Sequence, residues 1–301
     1  MRFLLKLIGL GLNILSFIAP QNAAKRALTL FTNPPKARVR AKEQAFLDTA
    51  SMVKFRDTVR YTWGDPTAPY ILLSYGWAYN AGRWRHFVPS LVEAGYRVVA
   101  YDPPGHGHAP KGTLTLPANA EIIKGIIHEL GKPAAIIGHS FGGSASVLAL
   151  NSLPPSLHPS RFAIMASFSN AEGVFRDFQS RLGMREGLYQ DYVRYTEQLI
   201  GDSICNFDLG RMTGRMEHIR ALIIHDPKDD TTGFKNAEYY LHFWKNSLLL
   251  APQHAGHHLG TSEVTEAVCA FVANGIAPKD SVTAEAHLPA DHDLTRYFAG
   301  V

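Results

Sequence analysis

From about residue 59 onward the chain alternates short apolar runs with longer stretches of helical period. Residues 70–74, 96–101, 134–137, 162–166, 221–224 and 247–250 are apolar at nearly every position. Runs this short and this continuous predict strands buried on both faces. Between or after them, residues 84–94, 118–130, 144–150 and 262–273 carry helical spacing. The alternation predicts an α/β fold: a mostly parallel, doubly wound sheet covered by helices on both sides. The rhythm breaks at about 170–215, where helical patterns at 174–182 and 189–200 have no strand between them. That stretch predicts a small helical cap insertion.

The first 58 residues follow a different pattern. Arg2, Lys6, Gly9, Asn13 and Ser16 step by four, three, four and three along a segment otherwise made of Leu, Ile and Phe. On a helix they form one narrow polar or small stripe. Residues 23–31 predict a second short helix, ended by Pro34-Pro35. The first segment falls short of the ~20 apolar residues that a spanning helix needs. Lys6 and Asn13 interrupt it, and no small-x-small cleavage site follows. An interfacial or core-packed helix, a membrane anchor and a signal peptide all stay open, and peripheral membrane contact through residues 2–19 is the expectation. The chain is thus divided into a basic helical arm (1–58), a domain (59–277) that carries the cap, and a C-terminal tail (278–301). The tail is rich in Ala, Asp, His and Pro without periodicity and is expected to be loose.

Charge sharpens this division. Residues 1–60 hold eleven Lys/Arg against Glu43, Asp48 and Asp57, a net +8, whereas the remainder is net −4. The basic pI therefore belongs to the arm. No nucleic-acid module is recognisable, so the arm points to anionic lipid or to solvation. Cys205 and Cys269 lie far apart with no His or Cys at metal-ligand spacing, so two buried thiols are expected, with no disulfide, metal or cofactor.

The chemistry concentrates in Gly138-His139-Ser140-Phe141-Gly142-Gly143. This is a G-x-S-x-G run between a predicted strand and a helix of small residues, the context of a nucleophile elbow. A turn this tight strains the dihedrals at Ser140, and side chains at 138 or 142 would collide with adjoining backbone. A serine hydroxyl needs a base within reach. Among fourteen histidines, His254, His257 and His258 cluster after the last predicted strand. His106 and His139 sit inside turns and His225 at a strand end, where satisfied, non-catalytic rings are expected.

Four landmarks resemble the α/β-hydrolase superfamily from about residue 59 to 273. They are Tyr75-Gly76-Trp77 after a strand, Asp102-Pro103-Pro104-Gly105-His106-Gly107, the Ser140 elbow, and Gly256-His257 after the last strand. The pattern is similar to bacterial serine hydrolases of esterase type with a small helical cap. Two departures, Tyr75 for the family's usual His and Ala109 for a common Ser, bear on the shape of the site rather than on its mechanism. The resemblance implies chain order Ser, acid, His. It implies His257 as base, and Asp229, four residues after the strand-end His225, as acid. Asp230 is the rival acid, Asp226 a loop-turning residue, and Asn170 and Glu172 are remoter candidates. The oxyanion donors implied are the amides of Phe141 and Trp77, whose rings are also expected to wall the substrate pocket.

The expected function is a serine hydrolase acting on a small-molecule carboxylic ester or related acyl bond through an acyl-serine intermediate. An acyltransferase with the same triad, C–C bond hydrolysis and a non-catalytic membrane-associated binding protein are alternatives. The expected location is the cytoplasm, at the inner face of the membrane, with an exported form still open.

Overall fold

A computed structural model describes residues 2–35 and 38–288. Its strands are β1 (Ser51–Phe55), β2 (Thr58–Trp63), β3 (Tyr70–Ser74), β4 (Arg97–Asp102), β5 (Ala135–His139), β6 (Arg161–Met165), β7 (Arg220–Ile224) and β8 (Ser247–Leu250). They form one sheet in the order β1-β2-β4-β3-β5-β6-β7-β8. The β1–β2 and β2–β4 pairings are antiparallel, and the later ones are parallel. The helices are α1 (Arg2–Ile18), α2 (Pro20–Thr32), α3 (Ala41–Leu47), α4 (Val88–Glu93), α5 (Leu116–Leu130) and α6 (Phe141–Ser152). After them come α7 (Ala171–Leu182), α8 (Glu186–Ile200), α9 (Leu209–Thr213), α10 (Lys235–Phe243), α11 (Ser262–Asn274) and α12 (Ala284–His287).

Every position of β3 and β5 is buried, as their unbroken apolar sequences require. Because side chains alternate across a strand, the sheet feeds two cores. Ile71, Leu73 and Ile137 pack with Leu91, Val268 and Phe271 on one face. Leu72, Ile136 and Phe162 pack with Ile123, Leu150 and Trp244 on the other. Parallel order sends the carboxyl ends of β3 to β8 to one edge, where loops gather.

The sheet starts earlier than residue 59. β1 is fully exposed along its length, so it carries no apolar run to mark it. Leu47 of α3 is also buried in the first core. The C-terminal side is better anchored than expected: Val282 exchanges backbone hydrogen bonds with Leu249, and α12 follows. The expected looseness is thus wrong for 278–288, and the rest of the tail lies outside the described residues. Cys205 is exposed rather than buried, and Cys269 is buried.

The arm is not a separate body. α2 buries Ala23, Ala24, Ala27 and Leu28 among Tyr189, Tyr192 and Leu188 of α8. α1 lies across the turn between α7 and α8, and its polar stripe faces inward. Lys6 Nζ donates to Ser180 O at 2.6 Å, and Asn13 Nδ2 donates to Gly183 O at 2.8 Å. Asn13 Oδ1 accepts the Arg185 amide at 2.9 Å, and Arg185 Nε donates to Ser16 Oγ at 2.9 Å. The last carbonyls of α7 have no partner within their own helix, and Lys6 and Asn13 supply donors there. The Lys6 ammonium also meets the negative end of that helix. Of the readings left open for this segment, a core-packed helix is thus the one that its polar stripe shows.

Close approach depends on Gly9, where a Cβ would lie 1.8 Å from Leu182 O. In a free helix Gly→Ala adds roughly 1 kcal/mol of helix stability. Gly9→Ala should do the reverse here and lift α1 off the cap. Proteolysis between α1 and α2 is expected to speed by an order of magnitude, with the sheet's unfolding midpoint little changed. Unaltered protection would show that the approach is not tight.

Candidate active site

β5 delivers Ser140 at its carboxyl end. Ser140 has φ 52° and ψ −126°, a sparsely populated conformation costing about 1–3 kcal/mol. Its amide donates to Met165 O at 2.8 Å, and α6 begins at the next residue. The collisions expected at the flanking glycines are specific: Gly143 Cα opposes a Cβ at 138, and Tyr75 O opposes one at 142.

The structure brings His257 to this serine, with Nε2 3.0 Å from Ser140 Oγ and Nδ1 2.8 Å from Asp229 Oδ2. An ionised carboxylate only accepts, so Nδ1 carries the proton and Nε2 accepts from the serine hydroxyl. His258 instead pairs with Tyr79 Oη at 3.1 Å, and Asp230 is exposed. Asp229 is buried and well supplied with donors. Its Oδ1 accepts the amides of Thr231 (2.8 Å) and Thr232 (3.0 Å), and His225 Nε2 lies 3.3 Å from Oδ2. Burial opposes its ionisation, but hydrogen bonds from His225, His257 and Thr232 outweigh that and hold the carboxyl well below the usual range.

The histidine loop is strained at His254 (φ 63°) and Leu259 (φ 49°). Two groups pin it. Asp226 Oδ2 accepts the Gly256 amide at 2.6 Å, and His139 Nε2 donates to His257 O at 2.8 Å. Burial holds the His139 ring well below its ordinary pKa, so it is neutral, with Nε2 the protonated nitrogen. His139 and Asp226 thus position His257 through its backbone.

On the opposite side, the loop after β3 passes close to Ser140. A Cβ at Gly76 would lie 2.9 Å from Ser140 Cβ, so only glycine fits there. The Trp77 and Phe141 rings meet edge to face at 5.3 Å. Among the described residues, neither the Trp77 nor the Phe141 amide donates to a protein acceptor. Ala78, at φ 56°, is held by donation of its amide to His106 Nε2 at 3.1 Å. His106 Nδ1 in turn donates to Pro104 O at 3.0 Å. Burial lowers the His106 pKa and keeps the ring neutral, as an accepting Nε2 requires. Below them Asp102, wholly buried, accepts from Tyr75 Oη (2.7 Å), Tyr61 Oη (2.8 Å), the Ala81 amide (2.8 Å) and the His108 amide (2.9 Å). Tyr75 therefore anchors the loop that carries Gly76 and Trp77.

A cavity of about 880 Å³ opens over Ser140. Trp77, Phe141 and Phe168 line its floor, Val174, Phe175 and Phe178 of α7 one wall, and Leu28 and Phe31 of α2 another. Its lining is mainly apolar, which suits a hydrocarbon chain. Among the described residues, no three His, Cys, Asp or Glu side chains form a metal-ligand set. Sequence reasoning missed the contribution of α2 to this wall. The small-residue stripe Ala23, Ala24 and Ala27 was the available signal, because three alanines on one face mark close helix packing. It also treated His225 as packing, although the ring sits against Asp229 and donates from Nε2 to Thr232 O at 2.6 Å.

The alpha/beta hydrolase family profile matches residues 70–271. Epoxide hydrolase A of Mycobacterium tuberculosis is 31% identical over 166 residues, covering 51% of this chain and 48% of that protein. The chain therefore spans about half the length of that relative. A bifunctional esterase/perhydrolase of Acinetobacter calcoaceticus is 24% identical over 207 residues, covering 58% of this chain and 72% of that protein. Among solved structures, an esterase from Exiguobacterium antarcticum superposes with a TM-score of 0.55 at 18% identity, covering 74% of this chain and 99% of its own. A monoacylglycerol lipase from Paleococcus ferrophilus gives 0.54 at 18% identity, covering 75% and 100%. These likenesses carry the fold.

Two substitutions test the supporting network. Tyr75→Phe removes one of four donors from a buried carboxylate and should cost roughly 1–3 kcal/mol in urea unfolding. Asp229 has a depressed pKa when folded, so its stabilisation is complete above the unfolded value and is lost as pH falls through lower values. The stability gap between wild type and Asp229→Asn should therefore be constant near neutrality and narrow below about pH 4. A gap that widens on acidification would contradict the assigned donors.

Proposed function

The chain belongs to the alpha/beta hydrolase family, and on that premise we propose that it is a serine hydrolase cleaving a carboxylic ester or closely related acyl bond. The observation that carries this reading is the unbroken chain of contacts Ser140 Oγ–His257–Asp229. As Oγ attacks the acyl carbon, its proton passes to His257 Nε2. The imidazolium that forms is stabilised by Asp229, which also fixes the ring's tautomer. The oxyanion lies against the amides of Phe141 and Trp77. Collapse of the tetrahedral intermediate expels the alcohol, which takes the proton from His257 and leaves acyl-Ser140. Water then repeats the sequence, giving the acid and restoring the hydroxyl.

Ring opening of an epoxide, the activity named in two relatives, fits the nucleophile less well. A serine oxygen attacking an epoxide carbon would form an ether, which His257 and water have no means to cleave. Attack on an acyl carbon forms an ester, which the same base can hydrolyse. The hydroxyl at 140 thus favours acyl chemistry, and the apolar cavity favours an acyl group of medium to long chain.

Ser140→Ala and His257→Ala should each lower kcat for ester hydrolysis by at least about a thousandfold, with the fold intact. A fluorophosphonate should label the wild type but not Ser140→Ala, and labelling elsewhere would overturn the assignment. Each methylene buried in the cavity contributes up to ~0.8 kcal/mol. On p-nitrophenyl esters kcat/KM should therefore rise by as much as roughly fourfold per added methylene until the cavity is filled. A flat or falling series would exclude the apolar wall as the acyl site.

A further inference from the structure

The inward turn of the polar stripe leaves the other side of α1 uncovered. Phe3, Leu4, Leu7, Leu10, Ile14, Phe17 and Ile18 are between 49% and 82% exposed, although all are large and apolar. They recur every three or four residues, so they form one continuous face rather than scattered side chains. A folded domain does not maintain such a face against water without a partner phase. We propose that this face docks the protein on an anionic lipid surface, with α1 lying in the plane of the interface.

Charge selects that occupant. Residues 1–42 contain eight Lys/Arg and no acidic residue. Lys25, Arg26, Arg38, Arg40 and Lys42 are exposed around the apolar face's own end of the chain. Arg26 lines the groove between α1 and α2, beside Leu30, Ile8 and Leu15. A second copy seated on the face in a two-fold arrangement would oppose the same positive segment to itself, an unfavourable pairing. An anionic headgroup layer answers both the hydrocarbon and the charge. Crossing the bilayer is a different matter: among the described residues, no helix is long and apolar enough.

The surface also runs into the candidate active site. Leu30 is 38% exposed and lines both the α1–α2 groove and the cavity over Ser140. Docking through α1 sets that cavity beside the hydrocarbon boundary, where an ester carried in the lipid could enter without crossing water. This second step rests on the proposed hydrolase activity, whereas docking does not.

The test is sedimentation of the full-length protein at low salt with phosphatidylglycerol–phosphatidylcholine vesicles and with phosphatidylcholine alone. The wild type should bind the anionic vesicles and prefer them to the neutral ones. Leu7→Gln/Leu10→Gln/Ile14→Gln keeps good helix formers at exposed positions, so circular dichroism and hydrolysis of a soluble short-chain ester should match wild type. Its vesicle affinity should fall by at least roughly tenfold. Lys25→Gln/Arg26→Gln should weaken anionic binding by roughly fivefold per charge and leave neutral binding alone. Equal binding by the triple variant would overturn the proposal, as would a wild type that ignores vesicles, whether it elutes as a monomer or a dimer. Because Ser140→Ala should sediment like wild type, failure of the chemistry and failure of docking are distinguishable.

Discussion

A carboxylate taken out of water must find donors, and three aspartates at one edge of the sheet take theirs from loops. Asp102 at the end of β4 draws in Tyr75 and the Ala81 amide, fixing the segment that carries Gly76 and Trp77. Asp226, just past β7, takes the Gly256 amide and so fixes the histidine loop. Asp229 gathers two threonine amides and the His257 ring. Leaving such a group unpartnered costs several kcal/mol, which is more than the strain in any one loop. The demand for donors therefore sets where both sides of the site stand relative to Ser140.

Strain is distributed accordingly. Among the described non-glycine residues, positive φ occurs at Arg56, Ala78, Ser140, Ala166, His254 and Leu259. Arg56 turns the β1–β2 hairpin, and the other five all follow the carboxyl ends of parallel strands. Ala78 and Ala166 are tied by amide donation to His106 and to Ile224 O, respectively. The loops next to Ser140 are thus pinned by hydrogen bonds without being regular. A side chain that must be held to ~0.5 Å, as the proposed role of His257 demands, needs that property.

Much of this was legible in the sequence because it depends on local pattern. The buried strands β3 to β8 showed as apolar runs, and the elbow as a glycine-bracketed serine. His257 and Asp229 were implied by the resemblance to the α/β-hydrolase superfamily, through their places after β8 and β7. What escaped depends on tertiary contact. β1 has no buried face, so no pattern marks it. The direction of the α1 stripe depends on the carbonyls of Ser180 and Gly183, about 170 residues away. The role of His225 depends on a side chain four residues on, and that of α2 on its meeting α8. Amphipathicity established that α1 has two faces, but backbone acceptors at the distant end of α7 decided which one turned in.

The arm's docking also has a temporal side. Residues 2–32 are made well before their partners in α7 and α8, which follow only after the central strands β3 to β6. At ordinary elongation rates the delay is roughly 10–30 s. Throughout it, a basic, leucine-rich segment stands free while the sheet begins to collapse. The second wall of the cavity therefore cannot close until α8 has been made, and the stretch 231–236 that completes the lining comes later still.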